Sequence, residues 1–165
     1  MTISANLNSA FQNSKTTSVY NVHRGEGFRA YRTIVTAYNS VWCRNLEARF
    51  NELTSLPRGW DGYNGIPVSF TCARFAANLL ERIFIDGVSE PSLVPGCDGT
   101  LQIEWHKNLF DIEIDVLGAN NVIAMRFDHQ TSREETLELQ NDFSVLVTWI
   151  EELASERAPL ATATP

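Results

Sequence analysis

Four carboxylates, Glu104, Asp111, Glu113 and Asp115, are the side chains of this 165-residue chain whose types and spacing point most directly to chemistry. Their parity in two adjacent extended segments puts them on one face of a sheet. A face of that kind attracts a basic protein surface, or imitates the phosphate rows of a nucleic acid, because complementary fields steer association. Carboxylate oxygens are also what a hard cation such as Mg²⁺ takes as ligands, so metal-assisted hydrolysis through Asp98, Glu104, Asp111 and Glu113 is the catalytic alternative. The plain alternative is a solvated outer face partly relieved by Lys107 and Arg126, since antiparallel sheets commonly wet one side.

Other catalytic patterns are missing from the sequence. His23, His106 and His129 are widely spread, and no Gly-x-Ser-x-Gly, His-Glu-x-x-His or Gly-Lys-Ser/Thr motif occurs. Gly25-Glu26-Gly27 has no strand ahead of it, which argues against a nucleotide loop. The three cysteines, Cys43, Cys72 and Cys97, are odd in number and lack the close pairs of zinc or redox sites. No nucleophile, metal centre or cofactor is expected.

The elements that must position the carboxylates follow from periodicity. Leu101-Gln102-Ile103-Glu104-Trp105-His106 alternates, as does Phe110 to Val116, and Lys107-Asn108 is the expected two-residue hairpin loop. That loop pairs Trp105 with Phe110, Ile103 with Ile112 and Leu101 with Ile114, and sets Glu104 against Asp111, a like-charge pair that costs stability unless relieved. A third strand over 122–127 follows the turn Gly118-Ala119-Asn120-Asn121. Pairing Ile114 with Met125 then keeps the apolar face continuous and brings Arg126 opposite Glu113. Thr136 to Leu139 reads as a short fourth strand and 90–99, with Pro91, Pro95, Gly96 and Gly99, as loop. A helix capped by Ser69 and a closing helix around Phe143, Leu146, Val147, Ile150 and Leu153 are the lids for the apolar face. The expected class is α+β: an antiparallel three- to four-stranded meander packed by two helices, with a long N-terminal amphipathic helix.

That long helix is read from Phe28, Tyr31, Val35, Tyr38, Trp42, Leu46, Phe50 and Leu53, which recur at steps of three and four and end before Pro57. Arg29 and Arg32, three apart beside aromatic residues, are a candidate basic patch for an acidic partner. An aromatic stripe of this length also suits a homodimer. Residues 1–25 read as a flexible arm, 26–157 as a single α+β domain and 158–165 as a disordered tail.

The net charge of −7 is unevenly spread. Residues 1–60 hold seven basic groups (Lys15, Arg24, Arg29, Arg32, Arg44, Arg49, Arg58) and three acidic ones (Glu26, Glu47, Glu52), so they carry +4 and the remainder −11. An acidic chain of this kind is not expected to coat duplex DNA or anionic lipid. No apolar run approaches the roughly eighteen residues that span a bilayer, and free cysteines suit a reducing compartment. A cytoplasmic protein is expected.

Gly59-Trp60-Asp61-Gly62-Tyr63, followed by Pro67 and the Ser69 helix and then by Asp98-Gly99-Thr100-Leu101-Gln102-Ile103-Glu104-Trp105, resembles a set of small, mostly uncharacterised bacterial proteins. These pair a Gly-Trp-Asp-Gly-Tyr turn with an Asp-Gly-x-hydrophobic-x-hydrophobic-Glu-Trp strand. The resemblance covers residues 53 to 117 and implies an accessory role of the kind found beside toxins or on mobile elements. Gly59 and Gly62 permit positive φ, Asp61 can accept from its own backbone, and Trp60, Tyr63 and Trp105 have the bulk to close one end of a small sandwich. The turn is expected to be a structural joint. Asp98, Glu104 and Lys107 also resemble the acidic residues and lysine of restriction-endonuclease-like nucleases. Those sites place the lysine two residues after the carboxylate, however, whereas Lys107 is three after Glu104. The leading expectation is a non-enzymatic, protein-binding inhibitor, an antitoxin or anti-CRISPR-like module, with a metal-dependent nuclease as the alternative.

Overall fold

The structure, a computed structural model, describes residues 19–21, 31–33 and 41–155, with side chains from residue 45 onward. Its centre is a five-stranded antiparallel sheet in simple meander order: β3 (Ser92–Pro95), β4 (Leu101–Lys107), β5 (Phe110–Gly118), β6 (Asn121–Asp128) and β7 (Arg133–Leu139). Three helices, α1 (Val41–Thr54), α2 (Phe70–Ile83) and α3 (Ser144–Ala154), complete the α+β unit. A separate two-stranded pair, β1 (Val19–Asn21) and β2 (Tyr31–Thr33), is antiparallel.

Alternation builds the core. Leu101, Ile103 and Trp105 of β4, Phe110, Ile112, Ile114 and Val116 of β5, and Val122 and Ala124 of β6 point to one face, and none is more than 2% exposed. Burying each large apolar side chain contributes on the order of 1.5–3 kcal/mol, and only helices with apolar stripes can supply the other wall. From α2 come Cys72, Ala73, Ala76, Ala77, Leu79, Leu80 and Ile83; from α3 come Leu146, Trp149, Ile150 and Leu153. Phe75 of α2 meets Phe143, just ahead of α3, edge-on at 5.7 Å. The expected cap is present: the Ser69 hydroxyl accepts the Cys72 backbone N–H at 3.1 Å.

Three expectations are corrected. Among the described residues the long N-terminal helix is not found: α1 has 14 residues, and Tyr31–Thr33, whose Tyr and Thr suit a pleated surface, is strand β2 paired to Val19–Asn21. Of the expected stripe only Trp42, Leu46, Phe50 and Leu53 fall in α1, and the last three are buried against α2 and the sheet. Phe28, Val35, Tyr38, most of the arm 1–25 and the tail 158–165 lie outside the described residues. Second, the sheet has five strands rather than three or four. The segment expected as loop contains β3, where Leu93 is buried opposite Ile103.

Third, the registers differ. The β4–β5 turn is Asn108-Leu109, both at positive φ (53° and 64°), so Lys107 pairs with Phe110, Ile103 with Ile114 and Glu104 with Glu113. Two positive φ values define the turn that matches strand twist, and Asn tolerates the first of them better than Lys. The amide of Asn108 also donates to the Leu153 carbonyl at the end of α3 (2.6 Å). This two-residue slip leaves every side chain on its expected face. The β5–β6 ladder begins in the expected register, Gly118 opposite Asn121, but a bulge at Leu117 shifts it by one, so Val116 pairs with Val122 and Ile114 with Ala124. A shift of one turns β6 over. Arg126 therefore lies opposite Ile112 rather than Glu113, on the covered face. There its guanidinium sits 5.5 Å from the Phe110 ring and 5.2 Å from the Trp149 ring, bound to Glu152 and at 3.4 Å from Glu135.

The segment that follows the Gly59-Trp60-Asp61-Gly62-Tyr63 turn is joined to the Asp98-Gly99 loop through backbone. Ile66 N–H donates to the Cys97 carbonyl (2.9 Å), Ser69 N–H to Gly99 (2.8 Å), and Val68 N–H to Leu53 at the end of α1 (3.2 Å). Residues 66–69 thus tie the end of α1, the start of α2 and the approach to β4 together. Gly99 sits at φ +87°, and a Cβ there would meet Ile66 Cδ1 at 3.2 Å and the Pro67 carbonyl at 3.3 Å; Gly62, at φ +82°, has nothing within 4 Å. Gly62→Ala is expected to cost about 1–2 kcal/mol from backbone strain alone, and Gly99→Ala measurably more because the contact is added. Urea unfolding of the two variants checks this, and equal losses would show that the joint yields at Gly99.

Candidate functional site

Turning β6 over changes the face of the sheet opposite the described helices. Opposed residues on that face form three rows: His106, Asp111, Phe127 and Glu134; Glu104, Glu113, Met125 and Thr136; Gln102, Asp115, Ile123 and Glu138. The expected carboxylates Glu104, Asp111, Glu113 and Asp115 are therefore brought together. Next to them runs a half-buried apolar stripe, Ile123, Met125 and Phe127, and beyond it Glu134 and Glu138 stand exposed. Among the described strands no Lys or Arg shares this face, because Arg126 and Lys107 fall on the other parity.

Neutral and histidine partners relieve part of the repulsion. Gln102 Nε2 donates to Glu113 Oε2 at 3.0 Å. Asp111 bridges two imidazoles, with Oδ1 2.8 Å from His106 Nδ1 and Oδ2 2.6 Å from His129 Nε2, while His106 Nε2 lies 3.7 Å from Glu104. The hydrogen bond to Asp111 raises the His106 pKa above its ordinary 6.5, and the bonds from His106 and His129 lower that of Asp111 below 3.8. The His129 ring also meets the Phe127 ring edge-on at 4.8 Å. Asp115 is raised instead, first by burial and further by the field of Glu104. The imidazole bridge was not legible from spacing. His129 is 18 residues from Asp111, and only the observed hairpin register sets His106 opposite Asp111.

Of the carboxylates of the catalytic alternative, Glu104, Asp111 and Glu113 share this face and Asp98 does not. Asp98 is turned to Thr100, whose hydroxyl and N–H donate to it at 2.6 and 3.2 Å, and Lys107 faces away from Glu104. Among the described residues no group of three or more His, Cys, Asp or Glu is placed to hold a metal ion. Of the candidate basic patch, Arg29 lies outside the described residues and Arg32 is in β2, opposite Tyr20.

The turn residues form a self-bonded loop. Asp61 Oδ1 accepts from the N–H groups of Tyr63 and Gly65, both at 2.9 Å, which holds its carboxyl below the ordinary range, and Gly59 N–H donates to Gly65 at 2.7 Å. Trp60 Nε1 donates to the Ile66 carbonyl (3.0 Å) and the buried Trp105 to Ser89 (2.9 Å). Tyr63 is 85% exposed, so its side chain does not help close the end of the sandwich, and its backbone N–H serves the loop itself through Asp61.

No family model, curated protein or solved structure matches the chain. No helix among the described residues is long and apolar enough to cross a membrane.

The bridge carries a pH signature. His106, raised in the fold, contributes stability fully below pH 6.5 and loses it as pH rises through the raised value; Asp111, lowered, contributes above pH 3.8 and loses it as pH falls. The pair is therefore strongest between those limits. NMR titration of the His106 ring should give a midpoint above 6.5, moving back towards it in Asp111→Asn. An unchanged midpoint in that variant would show that Asp111 does not hold the ring.

Proposed function

We propose that this protein is a non-enzymatic, cytoplasmic binding protein that acts by occupying the functional surface of another protein, as an antitoxin or an anti-CRISPR-like inhibitor does. One observation carries the reading: carboxylates with no Lys or Arg among them enclose an apolar stripe on the face of the sheet opposite the helices. Apolar centres with polar rims are the anatomy of protein interfaces, and a rim of one sign selects its partner by charge. Glu104 opposite Glu113 costs stability in the free protein. A basic partner surface relieves that repulsion on binding, so the unfavourable pair in the free state favours the complex.

Charge and stripe can be separated by substitution. Glu104→Lys with Glu113→Lys should weaken capture of the partner from the native host about tenfold or more, and Met125→Ala should weaken it as the loss of a central apolar contact does. Capture by the wild type should also fall as salt is raised, since exposed charges are screened. Quantitative mass spectrometry of captured proteins reads all three. Retention of the same partner by the double Lys variant, with an unchanged circular dichroism spectrum, would remove the face from consideration.

A further inference from the structure

The two edges of the sheet are not equivalent. At one edge β3 has four residues, follows Pro91 and ends at Pro95, which has no N–H to offer, and its Leu93 carbonyl accepts from Arg49 Nη2 at 3.3 Å. Short strands, prolines and occupied carbonyls are the usual protections of an edge. At the other edge β7 has seven residues, Arg133-Glu134-Glu135-Thr136-Leu137-Glu138-Leu139, without proline, glycine or bulge. Its inner side is paired to β6 along its whole length, from Asp128 opposite Arg133 to Val122 opposite Leu139. Among the described residues no strand lies along its outer side.

We infer that the outer edge of β7 is a strand-addition site for an extended, basic segment of a partner protein, one that alternates Lys or Arg with apolar residues. This rests on the reading above and gives the form of the partner's contact. A strand laid against β7 places alternate side chains beside Glu134, Thr136 and Glu138 on the acidic face, and the intervening ones beside Glu135, already turned to Arg126, and beside Leu137 and Leu139, which are half-buried against the core. Cations at the first set and apolar side chains at the second continue both faces of the sheet.

A second copy of the chain does not fit this edge as well. The antiparallel register that pairs two β7 strands along their whole length opposes Glu134 to Glu138 twice and Glu135 to Leu137. Charges of one sign on an edge guard against self-pairing, and the same charges admit a strand of opposite sign.

The probe is a synthetic peptide of alternating Lys and Val, compared with a Glu and Val peptide and with the Lys peptide N-methylated at alternate amides on the docking edge. The Lys peptide should shift β7 amide resonances and slow their hydrogen exchange about tenfold; N-methylation and the Glu substitution should each weaken binding by about tenfold or more. Glu134→Lys with Glu138→Lys should weaken it similarly while the core resonances stay in place. Equal binding of the N-methylated peptide, or shifts confined to Glu104 and Glu113, would overturn strand addition and leave the acidic-face reading standing. If poly-lysine also fails to bind anywhere on the face, both readings fall.

Discussion

The strict alternation of β4 and β5 is the constraint on which the rest of this protein depends. Because side chains repeat every two residues, one face of the sheet collects Leu101, Ile103, Trp105, Phe110, Ile112, Ile114 and Val116, and the other collects the carboxylates. A slip of one residue between these strands would drive Glu104 or Glu113 into the core, where an unpaired charge costs several kcal/mol. A slip of two costs only turn geometry. The apolar face is consequently fixed with great force, the turn chooses between the remaining registers, and the helices must all lie on the same side. No described helix lies over the acidic face, as a direct result of how the other one is filled.

The bulge at Leu117 is the second determinant, and it concerns one strand only. Val122-Ile123-Ala124-Met125-Arg126-Phe127 is apolar on both parities except at Arg126, so β6 can present either side inward. In the observed orientation the smaller Val122 and Ala124 pack under the helices, and Arg126 is accommodated by two rings and two carboxylates. A guanidinium is well suited to this place, being planar, weakly hydrated and able to bind carboxylates while its faces rest on aromatic rings. The larger Ile123, Met125 and Phe127 are thereby released to the acidic face.

Where the sequence was legible, the pattern had a single physical solution. Alternation over 101–106 and 110–116, the Ser69 cap and the apolar period of α2 and α3 each admit only one arrangement of faces. The backbone joint between the Trp60 turn and the Asp98-Gly99 loop was foreshadowed by its glycines and by Asp61. What could not be read had competing solutions or little signal. Asn108-Leu109 and Lys107-Asn108 are both two-residue loops of matching parity, and a bulge at Leu117 leaves no mark in composition. β3 is four residues between prolines, too short for periodicity to speak. Tyr31–Thr33 fits a helical stripe by spacing and a strand by residue type, and spacing was the weaker guide.

The one-residue shift at the Leu117 bulge is what separates a merely solvated sheet face from a candidate interface. With β6 in the expected orientation, Arg126 would stand opposite Glu113 and neutralise part of the field, and Ile123, Met125 and Phe127 would be core. That face would be polar, partly compensated and without an apolar centre. The bulge removes the cation and supplies the apolar stripe in one step, because both follow from the same half-turn of a single strand. Histidine then becomes the protein's own partner for a carboxylate on this face, through His106 and His129 on Asp111. Both rings bond to Asp111 and only His106 also approaches Glu104, so neither pairs with Glu113 or Asp115, and the field of those two stays open on the proposed partner face.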